Sequence, residues 1–164
     1  EREKFAYFSH SILEVNYAFF HLKSFPFEWH EMKDIRNIVS GATIGYDYGP
    51  DFTNARKTNQ FSIDLVRSDE INFRKLLRNR IDIFPMDIEA GYTLLNMNFP
   101  NKRKMITHHK NIIHVTLDKL MCTKKRIYSK HLISLFNSGL KKIINNGTYN
   151  KYRESSRNGE YITH

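Results

Sequence analysis

Only one cysteine, Cys122, stands in the 164 residues, so no intrachain disulfide can form and the fold cannot rest on a stapled framework. Long apolar runs are missing too. Tyr17 to Phe20 is stopped at once by His21, and nothing approaches the roughly 18 residues that a membrane-crossing helix needs. Nucleotide-binding glycine patterns are also lacking: Gly41, Gly45 and Gly49 are spaced by four, but no Lys-Ser or Lys-Thr follows them and the dinucleotide spacing is not met. There is no Gly-x-Ser-x-Gly turn to activate a serine, and Cys122 lies in an apolar stretch that reads as core rather than nucleophile. His108, His109 and His114 match no zinc spacing and read as solvated loop histidines. Nothing here asks for catalysis, a metal or a cofactor. The chain opens on Glu1-Arg2-Glu3-Lys4, with neither an initiator methionine nor a signal-peptide pattern, as an internal stretch or a processed product would.

What is present is an ordinary apolar content of 40%, enough for a buried core in one domain or two small ones. The net charge of +9 is uneven: residues 1–66 carry 7 basic and 9 acidic side chains, against 19 and 8 in residues 67–164, or −2 against +11. Lys102-Arg103-Lys104 and Lys124-Lys125-Arg126 are the clusters that would touch phosphates. The aromatics around them form no RNA-binding signature, so they read as a solvated face and no nucleic acid is expected as a partner.

Periodicity divides the chain. Ile38-Val39 and Ala42-Thr43-Ile44 make a short, partly β-branched apolar run ended by Gly45, the pattern of a strand buried on both faces. Gly49-Pro50-Asp51 opens a helix expected to end near Thr58, with proline at the first helical position and an acid against the positive N-terminal dipole. Phe61, Ile63 and Leu65 alternate as a second strand; Ser68-Asp69-Glu70 caps a helix, with Phe73, Leu76, Leu77 and Ile81 recurring at helical spacing. Ile81 to Met86 predicts a third strand and Ile88 to Asn96 a third helix, with Gly91 inside it at a cost in propensity. Strands alternating with helices imply a parallel sheet covered by helices, an α/β class.

A polar basic loop is expected over Asn98 to Lys110, then a strand over Ile112 to Cys122. Ser129 would cap a helix with Leu132, Ile133, Phe136, Leu140, Ile143 and Ile144 on one face, stopped by Asn146-Gly147. Thr148 would cap a short helix through Tyr152, and Ser155 to His164 would be a frayed end. Tyr17 to Leu22 is a further strand candidate. Asn146-Gly147-Thr148 matches the glycosylation sequon, a common accident.

The glycine-bearing turn from Gly45 to Gly49 sits between a strand and a helix N-terminus, where exposed backbone N–H groups can hold a small anion. Asp87 lies at the carboxyl end of the third strand, where open α/β sheets bind ligands. Asp82, at the other end of that strand, is too far for a shared acid/base pair and reads as structural.

Taken in order, Arg2 with Phe8-Ser9, Asp34-Ile35, Gly41-Ala42-Thr43-Ile44-Gly45-Tyr46-Asp47-Tyr48-Gly49, Arg80-Ile81-Asp82, Asp87, Leu140-Lys141-Lys142-Ile143 and Asn146-Gly147-Thr148-Tyr149 resemble the family 3 extracellular solute-binding proteins, the amino-acid receptors of bacterial ABC importers. The resemblance implies a type II periplasmic-binding-protein fold: two α/β lobes, hinge strands and a ligand enclosed between the lobes. Residues 1–24 and 117–164 would belong to lobe 1 and residues 25–116 to lobe 2, with the N-terminal part of lobe 1 missing. It implies a periplasmic monomer that binds a small polar, amino-acid-like solute, delivers it to an ABC permease and is not an enzyme. A sensory module and a dehydratase-like enzyme are the alternatives on the same fold.

Carried over residue by residue, Arg2 matches the arginine that grips the ligand α-carboxylate and Asp87 the acid that receives its α-ammonium. Thr43 and the loop Gly45, Tyr46, Asp47 and Tyr48 match the lobe 2 segment that touches the ligand. Tyr46 and Asp47 depart from the small hydroxyl residues usual there. An acid at Asp47 would repel a carboxylate, which leaves open a cationic, bulky or non-amino-acid ligand, or a side chain turned to cap the following helix. Asn79 replaces the usual glycine, at a position where asparagine tolerates left-handed geometry.

Overall fold

Adjacent phenylalanines set the layering, because successive side chains of a strand point to opposite faces. Phe19 packs with Phe27, Trp29, Ala42, Tyr48, Phe52 and Ile83 in one buried cluster. Its neighbour Phe20 packs with Phe73, Leu76, Phe84, Met86 and Leu95 in another. In this computed structural model, which describes residues 1–157 and 160–161, the chain divides into two compact units. Residues 1–15 and 116–164 make one unit and residues 16–115 the other.

The strands are β1 (Ala6–Leu22), β2 (Val39–Thr43), β3 (Ser62–Val66), β4 (Ile83–Asp87) and β5 (Ile106–Thr123), in the sheet order β3-β2-β4-β1-β5; the inner unit holds β2, β3, β4 and the parts of β1 and β5 within residues 16–115. β2 runs parallel to β3 and to β4, while β1 returns antiparallel to β4, with Tyr17 opposite Asp87 and Phe20 opposite Phe84. The sheet is therefore mixed, not wholly parallel. Helix α1 (Pro50–Lys57) contributes Phe52 and Ala55 to the Phe19 cluster. Helices α2 (Asp69–Leu76) and α3 (Ile88–Asn98) contribute Phe73, Leu76 and Leu95 to the Phe20 cluster. Each face of the sheet is thus covered by helices, and central β4 is buried and apolar from Ile83 to Met86.

The local chemistry is the one the caps predict. Ser68 accepts from the Ile71 N–H at the start of α2, and Pro50 opens α1. Asn79 adopts φ 53°, the left-handed geometry that asparagine tolerates. Asp82 accepts from the Val39 N–H and its own N–H donates to the Val39 carbonyl, both at 2.8 Å, so it pins the start of β2 as a structural acid.

The outer unit holds the first part of β1, the last part of β5, and helices α4 (Ser129–Asn145) and α5 (Thr148–Arg157). The His10 N–H donates to Asn137 Oδ1 at 2.8 Å, and the Tyr149 hydroxyl donates to the Ile12 carbonyl at 2.5 Å. Ile133 and Leu140 of α4 are buried, whereas Leu132, Leu135 and Ile144 are exposed.

Several boundaries move. β1 begins at Ala6 rather than Tyr17, and β5 begins at Ile106, so residues 106–110 are strand where a loop is expected. His109 is consequently not solvated: it is 4% exposed, packs edge-on against Phe27, and accepts the Asn111 N–H at Nδ1. Position 128, not Ser129, is the N-cap of α4, and Ser129 is its buried first residue. Helix α5 runs to Arg157, beyond the expected stop at Tyr152; of the expected frayed end, residues 158–159 and 162–164 lie outside the described residues.

Candidate functional site

The carboxyl ends of β2 and β4 carry the residues singled out by sequence. Beyond Thr43 the chain turns through Gly45 and Gly49, at φ 86° and 97°, where a side chain would be strained. Gly49 has a second reason to lack a Cβ, since one would lie 2.6 Å from the His114 ring. The Asp47 carboxylate accepts the Gly49 N–H at 2.9 Å and so holds the turn that leads into α1. That local bond engages the acid that an approaching carboxylate would otherwise meet.

Tyr48 is 3% exposed and belongs to the core, packed edge-on to Tyr17 and Phe52. Its hydroxyl accepts the Thr43 N–H at 2.8 Å, and burial pushes the phenol pKa up to about 12. It shapes the turn from inside. Tyr46 instead is 53% exposed, the aromatic surface of the loop.

Asp69 and Asn72, which sequence reasoning took only as part of a helix, complete the cluster. Thr43 Oγ1 donates to Asp69 Oδ1 at 2.5 Å and accepts from Asn72 Nδ2 at 3.0 Å. The Asp69 charge also raises the Tyr46 pKa, with a hydrogen bond from the phenol to the same carboxylate contributing. Asp69 is the first residue of α2, so its charge sits on the positive end of that helix. No lysine, arginine or histidine is in salt-bridge contact with Asp69 among the described residues. The signal that could have found it was the Ser68-Asp69 pair directly after β3, since every strand of a parallel sheet delivers its following helix to the same edge.

Asp87, half-buried, is the N-cap of α3, and its Oδ1 accepts the Ala90 N–H at 2.6 Å. Asp87 thus occupies the carboxyl end of β4, and Thr43 the carboxyl end of β2. Arg2 belongs to the other unit, on an exposed 3₁₀ turn spanning Arg2–Lys4.

The fold this describes is that of the type II periplasmic binding proteins. The chain is similar to the arginine-binding protein ArgBP of T. maritima in a variant form, at 16% identity and a TM-score of 0.68, covering 91% of this chain and 60% of that one. It is also similar to the second substrate-binding domain of a putative amino-acid ABC transporter from Streptococcus pneumoniae, at 17% identity and a TM-score of 0.67, covering 93% and 66%. A third likeness is to an ancestral amino-acid-binding protein, a precursor of cyclohexadienyl dehydratase, at 15% identity and a TM-score of 0.66, covering 94% and 62%. The chain thus spans 60–66% of the length of these proteins. No protein-family model matches it, and no curated protein matches it in sequence. Structural likeness and sequence resemblance agree on the fold.

Proposed function

We propose that this chain is the solute-binding part of an ABC-type importer, periplasmic and without enzymatic activity, that takes an amino-acid-like solute at the carboxyl ends of β2 and β4. The observation that carries this reading is Asp87, an acid held at the end of β4 beside the Thr43 to Gly49 loop at the end of β2, in a fold shared with ArgBP and with the substrate-binding domain of a putative amino-acid ABC transporter. In it, Asp87 receives the α-ammonium, the Gly45 turn offers backbone N–H groups, Tyr46 supplies an aromatic surface, and Arg2 grips the α-carboxylate through its planar guanidinium. Tyr48 and Asp47 act by shaping the loop, through the Thr43 and Gly49 N–H bonds. Asp69, negative and without a salt-bridge partner among the described residues, favours a solute with a basic side chain over a neutral isostere.

Thermal unfolding of the protein with arginine, lysine, citrulline, glutamate and putrescine tests the reading, because a ligand that binds only the folded state raises the apparent stability. Arginine or lysine is expected to raise the midpoint saturably and citrulline to do so less. Asp87→Asn keeps an N-capping oxygen while removing the charge, and is expected to abolish the shift, as is Arg2→Ala. No shift from any amino acid, or full shifts in both variants, overturns the proposal. Steady loss of an added amino acid by turnover would instead favour the dehydratase reading.

A further inference from the structure

Away from that loop, the inner unit carries a concave site of about 300 Å³ between the ends of α2 and α3. Its walls include Leu77, Phe99 and Pro100, and Arg74, Arg78 and Lys102 converge on it. Helix α2 starts beside Thr43, at the carboxyl ends of the parallel strands, and Arg74 and Leu77 lie a helix length further on. The cavity therefore lies at the opposite edge of the sheet from the Thr43 loop.

Cations at helix C-termini are ordinary complements to the dipole, and Arg74 has such a role, with both Nε and Nη2 donating to Glu70 Oε1. Arg78 and Lys102 are different. Both lie beyond the helix ends, neither is in salt-bridge contact with an acid among the described residues, and no carboxylate lines the cavity. Converging like charges raise the local potential, and a bound anion relieves it. The floor is apolar: Phe99 packs against Phe73 of the core, and Leu77 lies on the same cluster. An apolar floor beside guanidinium donors fits an anionic head on an apolar body better than a bare ion.

We infer that the cavity between the ends of α2 and α3 binds a small organic anion, a carboxylate or phosphate monoester on an apolar body such as an aryl ring, through Arg78, Lys102 and Arg74. This site is separate from the amino-acid site and does not depend on it.

Titration of the full chain with phenyl phosphate, benzoate, inorganic phosphate and phenol, followed by amide chemical shifts, tests the inference. Phenyl phosphate or benzoate is expected to perturb Leu77, Phe99 and Lys102 saturably, with inorganic phosphate and phenol each at least tenfold weaker. The double substitution Arg78→Gln with Lys102→Gln alters exposed side chains only, and is expected to weaken the organic anion at least tenfold with an unchanged unfolding midpoint. Asp87→Asn should leave this binding as it is. Equal affinity for inorganic phosphate, or binding unaffected by the double substitution, overturns the inference.

Discussion

The hydroxyl of Thr43 and the carboxylate of Asp69, at 2.5 Å, tie the last residue of β2 to the first residue of α2. The same carboxylate raises the Tyr46 pKa above its usual value near 10, chiefly by its charge. Asp69→Asn keeps an oxygen for Thr43 but removes that charge. The Tyr46 phenol is then expected to titrate closer to its usual value, in a direction ring-carbon NMR signals can follow. Asp69→Ala removes the acceptor as well and is expected to cost about 2 kcal/mol in urea unfolding, the scale of a hydrogen bond to a charged group.

Stability is expected to fall on mild acidification. Burial lowers the pKa of His21 below 6.5; burial, with His21 and His109 nearby, does the same for His108. The folded state then refuses protons that the unfolded chain accepts, so this contribution is complete above about pH 6.5 and is lost as pH drops below it. Glu28 acts lower down: the His109 hydrogen bond depresses its pKa, so that contribution is present above about pH 4.5 and lost beneath it. Urea midpoints at pH 7.5, 6.5 and 5.5 should decline in that order, and His108→Gln should flatten the decline. A flat profile in the parent protein refutes the assignment.

Gly91 lies inside α3, where alanine is ordinarily better by about 1 kcal/mol. A Cβ at this position would stand 2.4 Å from the ring of the fully buried Phe20. Gly91→Ala is therefore expected to destabilise by about 1–3 kcal/mol, as overpacking does, reversing the propensity gain. Calorimetry of the single variant decides the sign.

Asp82 holds Val39 N–H at the entry to β2. Asp82→Ala leaves that donor without its partner and is expected to lower stability by about 1–3 kcal/mol, whereas Asp82→Asn, retaining an acceptor, should lose less. Hydrogen exchange at Val39 should accelerate more in the alanine variant than in the asparagine one.

Much of the inner unit was legible because its signals are local. Alternation in Phe61, Ile63 and Leu65, proline at the start of α1, and Ser68 before α2 each act within a few residues. The early part of β1 was not legible: Ala6 to Val15 mixes Ser9, His10 and Glu14 with apolar residues, and its half-buried faces show no clean alternation. The start of β5 was hidden by its histidines, whose burial depends on Phe20, Phe27 and Trp29, remote in sequence. The loop residues were found by pattern, but not their division of labour. A tyrosine at 48 looks the same in sequence whether its ring faces solvent or Phe52, and the link from Thr43 to Asp69 spans 26 residues.

β1 and β5 each pass from one unit into the other without a break, so residues 16–115 are an insertion within the outer unit. A ribosome therefore joins every residue of the inner unit before the second half of the outer one is begun. The inserted module has all its own parts early, while the segment before it must wait for α4 and α5. A chain ended at residue 115 and released from the ribosome should already resist protease in its central portion while Ala6 to Val15 is still cut.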